Sequence, residues 1–237
     1  MTNTLPTPAK VMIGMVAAAS LCPLSLGLIN WRTPAWPEMA LLLLAAVLTS
    51  RLKVKLPGMT STMSGNLPVI LLAVTQMGLL ASLLVAVTAA VAQSFGKQVK
   101  PVQFLFNTCT LVNASALAYA AYHSHLLAAL ANGKALALVA AAAVYFLANT
   151  APVAGIIGLT QSHSPLAIWH KVFMWSFPNY VIGAGLTAIA SLFGTAVGMV
   201  TVGALMLVLF GVYKSYETFV AQTEQTAPKA LAMAAGR

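Results

Sequence analysis

Apolar residues fill this chain in long blocks parted by short polar breaks. Eight blocks can be drawn, at about residues 10–30, 36–50, 62–77, 79–96, 102–122, 134–160, 177–193 and 195–213. A helix crosses a bilayer with roughly 20 apolar residues. The pattern therefore predicts an all-α, polytopic transmembrane helical bundle of about eight membrane segments, the second, third and fourth of them short.

The third and fourth blocks run together through Thr75-Gln76-Met77-Gly78, a polar interruption that ends on glycine. Read as one long span, residues 62–96 would put Arg51–Lys55 and Lys97–Lys100 on opposite sides of a membrane. Read as two spans joined by a tight turn, they put both basic clusters on the same side. Cations in short loops are retained in the cytoplasm, so the hairpin is the expected arrangement.

The same rule orients the whole chain. Lys10 precedes the first block, and Arg51, Lys53 and Lys55 follow the second. Lys97 and Lys100 follow the fourth, Lys171 the sixth, and Lys214, Lys229 and Arg237 the last. Only Arg32 and Lys134 fall in the alternate breaks. The expectation is a multi-pass protein of the bacterial cytoplasmic (inner) membrane with both termini cytoplasmic. Trp31, Trp36, Trp169 and Trp175 all sit at block boundaries, where indoles favour the membrane interface.

Ser164 to Phe177 is too short to span. Ser164 suits a helix N-cap and Pro165 a first turn. Apolar Leu166, Ile168, Trp169, Val172, Phe173 and Trp175 interleave there with His170 and Lys171. An amphipathic helix lying in the membrane interface is expected, broken at Pro178 before the next span begins at Asn179-Tyr180. Residues 1–217 read as a single transmembrane domain. Residues 218–237 read as a disordered cytoplasmic tail, being rich in Ala, Gln and Thr without an apolar period.

Composition agrees with the membrane reading. Hydrophobic residues make up 60% of the chain and charged residues 6%, too little charge to cover a soluble domain. The net charge of +9 comes from 12 cations against 3 acids. Those cations are dispersed between apolar blocks rather than gathered on a solvated face, which excludes nucleic acid as a partner. Cys22 and Cys109 lie inside apolar blocks and suit packing, not a disulfide or a metal site. The first block resembles a signal peptide in outline, but its length is that of a span, and we expect it to be retained as the first helix.

Polar groups inside the blocks are costly and mark candidate sites. The amides are Gln76, Asn107, Asn113 and Asn149, with Thr150 beside the last. Asn149 lies three residues before Pro152, which removes a backbone donor and frees a carbonyl near Ala148. Broken helices of this kind line sites in transporters. A mid-membrane polar cavity around Asn149 is one expectation, and ordinary interhelical hydrogen bonding is the other. No charged residue falls in the middle of a block, which disfavours ion-coupled transport. His123 and His125 flank Ser124 at the end of the fifth block, and two ligands are too few for a closed metal site. No phosphate loop, nucleophile set or carboxylate pair occurs, so neither an enzyme nor a cofactor is expected.

Several phrases, in order, resemble the N-terminal multi-pass sensor region (MASE-type) of bacterial HD-GYP and GGDEF signalling proteins. They are Arg51-Leu52-Lys53-Val54-Lys55-Leu56-Pro57-Gly58, Val102-Gln103-Phe104-Leu105-Phe106-Asn107, Tyr145-Phe146-Leu147-Ala148-Asn149-Thr150, Trp175-Ser176-Phe177-Pro178-Asn179-Tyr180 and Tyr213-Lys214-Ser215-Tyr216. The likeness covers about residues 36–217. It implies a helical module that passes a membrane or extracytoplasmic signal to a cytoplasmic output, leaving the membrane near Tyr213 and Tyr216. The family's cyclic-dinucleotide output domain is not among the residues that resemble it, so its enzymatic activity is not expected here. The expected partners are the lipid bilayer and a cytoplasmic signalling protein. The relay would run through Pro152, Trp169, Trp175, Pro178, Asn179 and Tyr180 to Tyr213 and Tyr216. The alternative is a small-solute binding or transport subunit, whose small-molecule ligand would meet Asn107, Asn113, Asn149, Thr150 and Gln76.

Overall fold

A computed structural model describes residues 5–31, 33, 35–51, 53–55, 62–96, 98–130 and 132–192, with isolated positions between 197 and 211. The described chain is helical apart from one small ribbon. Its helices are α1 (Thr7–Ile29), α2 (Trp36–Arg51), α3 (Leu67–Gln76), α4 (Leu79–Ser94), α5 (Pro101–Tyr122), α6 (His125–Ala128), α7 (Gly133–Gln161), α8 (Pro165–Ile168) and α9 (Phe177–Ser191). Three apolar stretches, Thr7–Ile29, Pro101–Leu127 and Gly133–Gln161, are long enough to cross a membrane. The eighth predicted segment, the tail, Tyr213 and Tyr216 lie outside the residues described in continuous chain.

The ribbon is a departure from expectation. Lys53–Lys55 (β1) pairs antiparallel with Thr62–Ser64 (β2), Lys53 opposite Ser64 and Lys55 opposite Thr62. The third apolar block thus becomes helical only at Leu67. Three strand pairs consume residues 62–64, and Asn66 with Pro68 then opens the helix, where a proline costs no hydrogen bond.

What remains is a helix of 10 residues, about 15 Å long and half a bilayer deep. It is also the most enclosed part of the molecule. Every residue from Leu67 to Val74 is buried, among α2, α4, α5, α7 and α9. Large apolar side chains are exposed instead on the surrounding helices, including Met15 and Leu21 of α1, Leu48 of α2 and Val139 of α7. The exterior is thus apolar over much of its area, around a mainly apolar core that also holds buried Ser82, Thr110, Ser115, Thr150 and Thr187.

A short helix away from water must have its terminal carbonyls satisfied by other groups. Neighbours supply donors here. The Met77 N–H closes on the Ala73 carbonyl at 2.8 Å. The Ser82 hydroxyl lies 3.0 Å from the same oxygen. His123 Nε2 approaches the Val74 carbonyl at 3.1 Å, and since a carbonyl only accepts, that nitrogen carries the proton. At the other end of α3 the Thr187 hydroxyl reaches the Pro68 carbonyl at 3.3 Å while also bonding Gly183 at 2.9 Å.

The chain does double back between α3 and α4. Residues nine apart in a straight helix are about 13.5 Å distant, yet Ser82 bonds Ala73. Met77 and Gly78 are both extended, which makes the turn. The far end of α4 then returns to the far end of α2, where the Arg51 guanidinium lies 5.7 Å from the Phe95 ring centre. Arg51 and the loop that leads to Lys100 are therefore at one end of the bundle.

Two glycines permit close approaches. At Gly183 a Cβ would stand 2.6 Å from Leu67 Cδ2, so α9 lies directly against the start of α3. At Gly158 a Cβ would stand 2.8 Å from the His163 carbonyl oxygen and from Pro165 Cγ. The chain folds back over the end of α7 there, after Ser162 takes a left-handed conformation at φ 55°.

Candidate functional site: the amide and aromatic cluster of α7

Tyr145, Phe146, Asn149 and Thr150 form two i, i+4 pairs on α7, so they share one side of the helix. Pro152 follows inside the same helix and leaves the Ala148 carbonyl without its usual backbone donor. Against this side pack α9 and the segment that precedes it.

That segment changes helical pitch twice. Ser164 caps α8, its hydroxyl accepting from the Ala167 N–H at 3.5 Å. Residues Trp169–Phe173 then form a π turn and Met174–Ser176 a 3₁₀ turn before α9 begins. The break expected at Pro178 is absent. Phe177 has φ −53° and ψ −43°, and Pro178 lies in the first turn of α9, where a missing N–H leaves no bond unmade. Residues Pro165–Ser191 are one helical run with a change of pitch at its middle. Local π geometry of this kind recurs at functional sites.

Two hydrogen bonds join the run to α7 at adjacent residues. Asn149 Nδ2 donates to the Tyr180 hydroxyl at 3.0 Å. Trp169 Nε1 donates to the Thr150 hydroxyl at 2.9 Å, and Thr150 donates onward to the Phe146 carbonyl at 2.7 Å. Thr150 thereby uses its hydroxyl as acceptor and donor at once. Aromatic rings enclose the pair of bonds. Phe146 lies 4.8 Å from Tyr180, 5.4 Å from Phe177 and 5.7 Å from Trp169, centre to centre, all within the range of favourable tilted and edge contacts. Tyr145 is buried 6.2 Å from Tyr180.

Of the predicted residues, the structure brings together Asn149, Thr150, Trp169 and Tyr180, one turn from Pro152. Pro178 and the half-buried Asn179 are on the first turn of α9. Trp175 is in the 3₁₀ turn, and its side chain lies outside the described residues. The other amides lie elsewhere. Asn113 Nδ2 donates to the Val16 carbonyl of α1 at 2.9 Å, so it faces a different neighbour from Asn149. Asn107 is half-buried two turns nearer the start of α5, and Gln76 ends α3.

The residues that sequence reasoning missed are Phe146 and Tyr145, although both stand in the phrase that contains Asn149. The i, i+4 spacing of two aromatics with two polar residues was the available signal. His123 stands just past the end of α5. It is also a cap for α3, with Tyr119 and Tyr122 rings 4.2 and 5.1 Å from its own.

As chemistry, the cluster holds neutral hydrogen-bonding groups in an aromatic surround. It can fix or release the relative position of two helices. Among the described residues no three His, Cys, Asp or Glu side chains gather as a metal site. No family model, curated protein or solved structure matches the chain.

Proposed function

We propose that the protein is a non-enzymatic sensor or regulatory module of the bacterial inner membrane. In this reading it spans the membrane several times with both termini in the cytoplasm and relays a membrane or extracytoplasmic signal to a cytoplasmic protein. The resemblance to MASE-type regions and the distribution of cations support it. The observation that carries it is the double tie of Asn149 to Tyr180 and Thr150 to Trp169. A proline-weakened point of one helix is hydrogen-bonded on one side to a π turn and on the other to the span that the turn leads into. A rearrangement at either place must break or carry the other, which is what a two-state relay requires. The relay continues from α9 toward Tyr213 and Tyr216.

A photo-crosslinking residue placed at Tyr216 in native membranes tests this. The reading expects recovery of one cytoplasmic signalling protein, with a yield changed by Asn149→Leu. Absence of any crosslinked protein, together with solute accumulation by reconstituted vesicles, would replace it with the solute-transport alternative.

A further inference from the structure

We propose that the corner of the bundle where α2, α4 and α5 meet binds the headgroup of an anionic phospholipid. Arg51 ends α2 and is exposed, with its guanidinium over the Phe95 ring just beyond α4. Lys53 and Lys55 follow two positions apart on β1. Lys100, also exposed, stands at the start of α5, five residues after Phe95. The topology thus sets Arg51, the backbone of Lys53–Lys55 and the start of α5 at Lys100 toward one end of the bundle.

Among the described residues no carboxylate lies beside Arg51 or Lys100. Glu38, the one acidic side chain among the described residues, opens α2, thirteen residues and about 20 Å along that helix from Arg51. Among the described residues no acidic side chain meets this corner, which leaves it open to an anion.

The apolar surroundings say which kind. Leu48 is exposed one turn before Arg51, Val91 one turn before Phe95, and Val102 and Leu105 on the first turns after Lys100. Phe95 itself is 73% exposed. A phospholipid matches both parts of this surface, acyl chains against the apolar turns and phosphate against the cations. An acidic protein would match only the cations. Arg51 is suited to the phosphate, because a ring against one guanidinium face leaves its edge N–H donors free for paired bonds to oxygen. The proposal rests on the apolar exterior facing lipid and is independent of any signalling role.

The test uses the purified full chain in nanodiscs of phosphatidylcholine, alone or mixed with phosphatidylglycerol. Retained lipid is read by native mass spectrometry and stability by thermal shift. Phosphatidylglycerol is expected to be retained preferentially and to raise the melting temperature. Arg51→Gln and Lys100→Gln should each weaken that retention about fivefold, equivalent to roughly 1 kcal/mol per cation near a membrane surface. Arg51→Lys should recover only part of it, and Lys134→Gln at the opposite end should leave it unchanged. Melting in phosphatidylcholine alone reports whether a variant has folded, and the two glutamine variants stand in for one another. Wild-type retention in both would overturn the proposal. So would an equal thermal shift from inorganic phosphate in phosphatidylcholine discs, or displacement of the lipid by polyglutamate, which would assign the corner to free phosphate or to an acidic protein.

Discussion

The Trp169 indole nitrogen donates to the Thr150 hydroxyl at 2.9 Å, across 19 residues of chain and between a π turn and the middle of a proline-containing helix. The Thr150 hydroxyl donates its own hydrogen bond to the Phe146 carbonyl within α7, so removing the indole donor leaves no unsatisfied donor behind. The bond is therefore a light tie, suited to being made and broken.

Trp169→Phe should destabilise the protein by about 0.6 to 1.5 kcal/mol, the range for an interhelical hydrogen bond in a membrane with little loss of ring packing. Thr150→Val should cost more, about 1 kcal/mol or above, because it leaves the indole N–H without its acceptor. A double-mutant cycle by equilibrium unfolding in mixed micelles should return a coupling of about 0.6 kcal/mol, and additive losses would mean the two side chains do not interact.

Asn149→Leu and Tyr180→Phe remove opposite halves of the second tie. Tyr180→Phe leaves the amide hydrogens of Asn149 without that partner in a half-buried position. It should cost about 1 kcal/mol or more, because an unmet donor is the larger penalty. The double variant should be less destabilised than the sum of the two, as read from the same unfolding curves.

Gly183→Ala brings a methyl group against the end of the Leu67 side chain, which can yield. A loss of about 1–3 kcal/mol is expected, relieved in part by Leu67→Ala. Gly158→Ala meets the His163 backbone oxygen instead and has nothing flexible to displace. It should be the more damaging of the two in melting temperature, with no rescue from a neighbouring side chain.

Single cysteines at Arg51, Lys100 and Lys134 test sidedness in intact cells. Arg51 and Lys100 belong to one end of the bundle and Lys134 opens α7 at the other. A membrane-impermeant thiol reagent should label position 134 and spare 51 and 100. Labelling of 51 and 134 together would contradict the orientation.

Much of the fold was legible along the chain. The helices α1 to α5 and α7 fall close to the apolar blocks because, in a bilayer, a run of apolar residues with internally paired backbone has almost no alternative to a helix. The turn at Met77-Gly78 was legible from the cations on either side of it. The ribbon of residues 53–55 and 62–64 was not, since its ladder joins two short stretches of which neither signals a strand alone. The continuity through Pro178 was hidden for a related reason. A proline breaks a helix interior but suits a first turn, and which of these it occupies depends on the change of pitch before it.

The candidate site divides the same way. Its residues could be marked as costly polar groups in apolar blocks, but their partners could not be named. Asn113 bonds a carbonyl 97 residues away and Asn149 a hydroxyl 31 residues away. By itself the sequence determined that the chain forms apolar helices, where they turn, and which loops carry the charge, because those follow from local hydropathy and from short-loop electrostatics. Only the tertiary structure decided that α3 is a buried half-length helix capped by its neighbours, and that Asn149 and Thr150 share their bonds with Tyr180 and Trp169. A hydrogen bond needs two groups within about 3 Å, and that distance is set by how whole helices pack.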